Sequence, residues 1–152
     1  MRHRPPLAHQ RLVGVLAVLG AWVLLASCSG PGGDGQSKSA GAGKRTSDVG
    51  SVTVDLTWEG VGSGPVFTVR MDTHSVDLDG FDLKNLAVLR TDEGLEVAPA
   101  SWDAPSGGHH REGKLTFPET VDGRPVLGEG TRGATVIVRD VAAPERSFQW
   151  TW

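Results

Sequence analysis

Residues 51–152 predict an all-β domain, an immunoglobulin-like antiparallel β-sandwich of about seven strands. Three observations carry that expectation. "SVTVDLTW", Ser51–Trp58, alternates without a break, with Val52, Val54, Leu56 and Trp58 on one face and Ser51, Thr53, Asp55 and Thr57 on the other. That is the period of a half-buried strand. Short apolar runs then recur between clusters of Gly, Pro and Asp, whereas helical periodicity is weak throughout.

Taken in order, "EGVGSGP" breaks the first strand and "VFTVRM" resumes with Phe67, Val69 and Met71 toward the core. "DGFDLKNLAVL" has room for one helical turn, because Phe81, Leu83 and Leu86 do not alternate strictly. The remaining strands are "LAVLRT" (Leu86–Thr91), "LEVAP" (Leu95–Pro99), "KLTF" (Lys114–Phe117), "ATVIVRDV" (Ala134–Val141) and "SFQWTW" (Ser147–Trp152). "TDEG", "VDGRP" and "AAPE" supply turn chemistry between them. Phe148, Trp150 and Trp152 alternate in the last strand and are expected to seal the core, the alternative being a ring face for stacking carbohydrate.

What precedes residue 51 reads as a leader and a linker. Arg2, Arg4 and Arg11 come without an acid, and Leu12–Ala26 is apolar throughout. This is a signal-peptide pattern, shorter than the roughly 20 residues of a membrane span. "LASC", Leu25–Cys28, follows directly and resembles the lipobox of bacterial lipoproteins. The resemblance implies a signal peptide over 1–27 and a diacylglyceryl group on the sulfur of Cys28. It also implies a mature chain held on the extracytoplasmic face of the cell membrane. Two or three acyl chains anchor firmly where one does not, at about 0.8 kcal/mol per buried methylene. Residues 28–50, with seven glycines after Cys28 and little that is apolar, are expected to be a flexible tether.

Cys28 is the single cysteine, so the mature chain holds no internal disulfide, no thiolate metal cage and no cysteine nucleophile. Removing the leader takes away three arginines and no acids, so 15 basic and 18 acidic residues become 12 and 18, a net charge near −6. That balance argues against nucleic acid and against a polybasic grip on anionic lipid.

The candidate site residues are Asp72, His74, His109 and His110. They are the three histidines beyond the leader and the acid two residues before the first of them. Period two puts Asp72 and His74 on one face of the second strand, opposite Met71. In an immunoglobulin-like topology the second strand pairs antiparallel with the fifth, which brings the end of "VFTVRM" beside "GGHHREG". Gly107 and Gly108 permit positive φ, which allows both neighbouring rings to turn inward. Imidazoles with one carboxylate suit Zn²⁺ or Cu²⁺, with Asp77, Asp79, Asp103 or Glu112 as outer partners and Trp102 as a wall or a core residue. The competing reading makes "THS" a polar strand end and "GGHH" a solvated turn.

The stretch Met71–Phe117 also resembles a recurrent bacterial envelope module with "THS" followed by "GGHH", and it is similar in outline to periplasmic copper-binding sandwiches. Those carry methionine-rich ligand sets that this chain lacks, which counts against Cu(I). Two functions follow as expectations: a lipid-tethered domain binding Zn or Cu(II), or an interaction module of the cell envelope that binds no metal. No nucleophile elbow or paired catalytic carboxylates are present, so an enzyme is not expected.

Overall fold

The computed structural model describes residues 41–152, so the leader, Cys28 and the linker through Ala40 lie outside the described residues. The fold is an antiparallel β-sandwich. Its strands are β1 (Gly43–Val49), β2 (Val52–Trp58), β3 (Val66–Thr73), β4 (Ala87–Thr91), β5 (Glu96–Val97), β6 (Ser101–Trp102), β7 (His110–Thr116), β8 (Thr120–Val121), β9 (Arg124–Pro125), β10 (Gly133–Arg139) and β11 (Glu145–Thr151). One sheet has the order β1-β2-β3-β7-β6, the facing sheet β11-β10-β4-β5, and β8-β9 form a separate ribbon. Setting β1 and β5 aside, β2-β3-β7-β6 opposite β11-β10-β4 is the strand order of an immunoglobulin-like sandwich. A single helical turn, α1 (Leu83–Leu86), is capped by the Asp82 carboxylate accepting from the Lys84 N–H.

Burial follows the alternation where the alternation is strong. In β2, Val52, Val54, Leu56 and Trp58 are buried while Thr53, Asp55 and Thr57 are half exposed. Leu89, Val136, Val138, Phe148 and Trp150 face them from the second sheet in one core. At one end of the sandwich Trp58, Phe67, Phe117 and Trp150 pack with ring centroids 5.1–6.1 Å apart, and Trp152 joins at 5.1 Å from Trp58. The terminal aromatics therefore pack inward: Phe148 and Trp150 are buried and Trp152 is half-buried against Trp58.

The expected boundary at residue 50/51 is corrected. Strand β1 lies within the stretch read as flexible tether and pairs with β2 along its full length, from Gly43 opposite Trp58 to Val49 opposite Val52. Its inward positions are Gly43, Arg45, Ser47 and Val49, a pattern with almost no hydrophobic signal. Hydrogen bonds hold it instead. Buried Arg146 of β11 donates to Ser47 O (3.1 Å) and Val49 O (2.6 Å), Arg45 of β1 donates to Gln149 O (2.8 Å), and Trp150 Nε1 donates to Gly43 O (2.9 Å). Each arginine thus occupies outward carbonyls of the other sheet's edge strand, which blunts two edges that would otherwise be free to pair.

The sandwich has a proximal end, where the chain joins it at Gly41 against Trp58 and Trp152, and a distal end, where β1 turns into β2. Six residue steps at about 3.3 Å put those ends roughly 20 Å apart.

Candidate binding site at the distal end

The "GGHH" segment is a turn leading into a strand. His110 N donates to Gly107 O at 3.0 Å, and positive φ occurs at Gly108 (57°) but not at His109, the pattern of a type II′ hairpin turn. Gly107 is required for a different reason, since a Cβ there would lie 2.0 Å from His110 O. The turn is fastened on both sides: Thr73 N donates to His109 O (3.0 Å) and Leu78 N to Gly108 O (2.8 Å). The Asp79 carboxylate accepts the N–H groups of Gly107 (2.8 Å) and Gly108 (3.2 Å). Those hydrogen bonds, that of Gly107 foremost, hold the Asp79 carboxyl below its usual range.

Strand β7 starts at His110, four residues earlier than "KLTF" suggested. Its inward side begins with Arg111 and Gly113 rather than with apolar residues. Arg111 donates to the carbonyls of Leu78, Phe81, Ala104 and Pro105 and stands 5.7 Å from the Trp102 ring centroid, so it ties together the loops behind the site. A Cβ on Gly113 would lie 2.5 Å from the Ala104 backbone, so no side chain fits there.

The expected pairing of the second strand with the fifth is observed as β3 with β7, and its last register pair is Asp72 opposite His110. His110 Nδ1 is 2.7 Å from Asp72 Oδ1, while Arg70 Nε is 2.8 Å from Asp72 Oδ2. Burial alone pushes the Asp72 carboxyl up. The hydrogen bonds and charges of His110 and Arg70 outweigh it, and the net direction is down. Ionised Asp72 only accepts hydrogen bonds, so His110 carries its hydrogen on Nδ1 and leaves Nε2 as the free ring nitrogen.

Asp72, His74 and His110 line one open cavity of about 360 Å³, together with Asp48, Thr53 and Ser75 around the β1–β2 turn and the end of β3. That is the low end of the size range for small-molecule sites, enough for one head group or side chain. Thr53 Oγ1 donates to Asp48 Oδ1 (2.8 Å).

Of the four sequence-derived candidates the structure gathers three. His109 is exposed and contributes its carbonyl, not its ring, because the type II′ turn places it before the strand begins. Among the described residues no three His, Cys, Asp or Glu side chains form a group able to hold a metal ion. The expected outer partners have separate tasks. Asp77 caps the 3₁₀ turn Leu78–Gly80, Asp103 accepts from Lys114 N–H, and Trp102 packs against the core. Glu112 lies between two cavities further along the same sheet face. Asp48 and Thr53 were missing from the sequence-based site. Asp48 sits in the segment taken for tether, and only its alternation with Lys44 and Thr46 hints at a strand.

Compared with known proteins, the chain matches no family model, no curated protein and no solved structure, so the chemistry of this site is read from its own residues.

Proposed function

We propose that the chain is an extracytoplasmic lipoprotein held at the cell membrane through lipid on Cys28, and that its β-sandwich is a non-catalytic binding module of the cell envelope. The observation that carries this reading is the position of the cavity. It opens at the distal end, where β1 turns into β2, while the chain joins the sandwich at the proximal end. A module reaching outward from a membrane presents its ligand side in this way. A photo-cross-linking residue at Ser75 tests it against the same residue at Glu59, on the proximal side of β2. The expected outcome is a discrete adduct in membranes from Ser75 alone, and equal labelling from both positions sinks the reading.

A second reading, binding of Zn or Cu(II), is favoured by one specific feature. Asp72 orients His110 in the manner of a carboxylate behind a metal-ligating histidine, with Nε2 free and His74 lining the same cavity. In this version Asp72 positions a ligand rather than ligating, and His109 has no part. Titration calorimetry of the full chain with Zn²⁺ and Cu²⁺ decides it. A dissociation constant below about 10 μM that is lost in His110→Ala supports the metal, and weaker binding is ordinary for surface histidines.

A further inference from the structure

We propose that the distal cavity accepts a cationic nitrogen group, the ammonium or guanidinium of a basic side chain on a partner polypeptide; this rests on the binding-module reading and names its ligand class.

The reason is the inventory of free hydrogen-bonding groups. Thr53 Oγ1 is spent on Asp48 Oδ1, Thr73 Oγ1 donates to Ser51 O and accepts from Ser75 N, and His110 Nδ1 is spent on Asp72. What remains free among the described residues is mainly acceptor: Asp48 Oδ2, His110 Nε2 and one ring nitrogen of His74, against the single ring N–H of His74 as donor, beside the adaptable hydroxyls of Ser51 and Ser75. A ligand rich in N–H donors satisfies those groups, whereas an anion would meet two carboxylates.

The charges point the same way. Among the described residues no lysine or arginine lines the cavity. Arg70 is turned onto Asp72, and Arg146, whose charge reaches Asp48, lies on the inner side of β1 with its donors committed to Ser47, Val49 and Val141. Neither arginine fills the cavity, and the mature chain's excess of acid attracts cations over longer range. A polypeptide source is favoured over a free polyamine by the surroundings. Val49, the one exposed large hydrophobic among the described residues (53%), stands at the same distal end but on the opposite side of β1 from Asp48, so a ligand that reaches both the cavity and Val49 spans the strand end, as a polypeptide does and a free polyamine does not.

The test is a ¹⁵N NMR titration of the full chain in nonionic detergent. Probes are the Nα-acetyl methylamides of lysine and arginine, the neutral norleucine and citrulline analogues, spermidine, and ZnCl₂. Saturable shifts are expected for amides of 48–53, 72–75 and 110 with the lysine or arginine probe and not with the neutral ones. Asp48→Asn is expected to weaken binding about fivefold or more. Ser75→Lys, which plants an ammonium in the cavity, is expected to abolish it, and the unshifted remainder of each spectrum reports that the variant is folded. Equal response to citrulline, indifference to Asp48→Asn, response to spermidine alone, or response to Zn²⁺ alone each overturns the proposal. If Ser75 cross-links a partner while any of these results holds, the module stands and the cation is wrong; if neither experiment gives a signal, both fall.

Discussion

Asp72 organises the distal site because one carboxylate accepts from two sides, His110 across the strand pair and Arg70 along its own strand. Asp72→Asn is expected to free the imidazole. In the native chain the side-chain ¹⁵N spectrum should show the Nδ1–H form of His110, and in the variant a mixture weighted toward Nε2–H. The sign of the pH effect follows from the lowered carboxyls of Asp72 and Asp55. A carboxyl depressed in the folded state contributes stability that is present above its unfolded value near 3.9 and is lost as pH falls through the folded value. Thermal melts of the native chain and Asp72→Asn should therefore lie closer together at pH 2 than at pH 7. A difference in melting temperature that is constant with pH would remove this account. Gly107 is a separate constraint on the same turn. Gly107→Ala pushes a methyl onto the His110 carbonyl and is expected to cost about 2 kcal/mol or more, read as a lower urea midpoint.

Two strands show how far alternation carries an element and where it stops. Strand β2 was legible because each inward position is apolar, and so were most of β3, β10 and β11. Strand β1 was not legible, because Gly43, Arg45, Ser47 and Val49 fill its inner face and the information that places it lies a hundred residues away in Arg146. The first half of β7 was hidden for the same reason, with Arg111 and Gly113 inward. The site shared this fate. The pairing of β3 with β7 followed from topology and gave Asp72 beside His110, while Asp48 was lost with β1 and the turn set His109 aside. Arg146 yields the corresponding prediction. It is buried at 3% exposure without a carboxylate partner among the described residues, and burial lowers its pKa. Arg146→Ala leaves the carbonyls of Ser47, Val49 and Val141 without a donor and is expected to cost about 2–4 kcal/mol. Hydrogen exchange should rise first in residues 43–49, and uniform acceleration across both sheets would show that the arginine serves the whole core instead.

At the scale of the molecule, β1 is the element that joins the two ends. It starts at the proximal aromatic cluster, where Trp150 donates to Gly43 O, and finishes at the distal turn, where Asp48, Gly50 and Ser51 line the cavity. Fold stability and site integrity are thereby made to depend on the same seven residues. A chain lacking residues 41–50 tests this dependence. It keeps all the strands read from the sequence, yet it loses the backbone ladder to β2, leaves Arg146 buried beside missing acceptors, and uncovers Trp58 and Trp152 where Gly41 packs on them. Taking about 2–4 kcal/mol for that loss and 4–8 °C per kcal/mol for a domain near 100 residues, the melting temperature should fall by at least about 8 °C. The β2 edge, newly free to pair, should also make the shortened chain associate as its concentration is raised. Equal melting temperature and a monomeric profile at every concentration would mean that β1 is an accessory to an already complete sandwich, and that the distal cavity lost with it is no part of the domain's design.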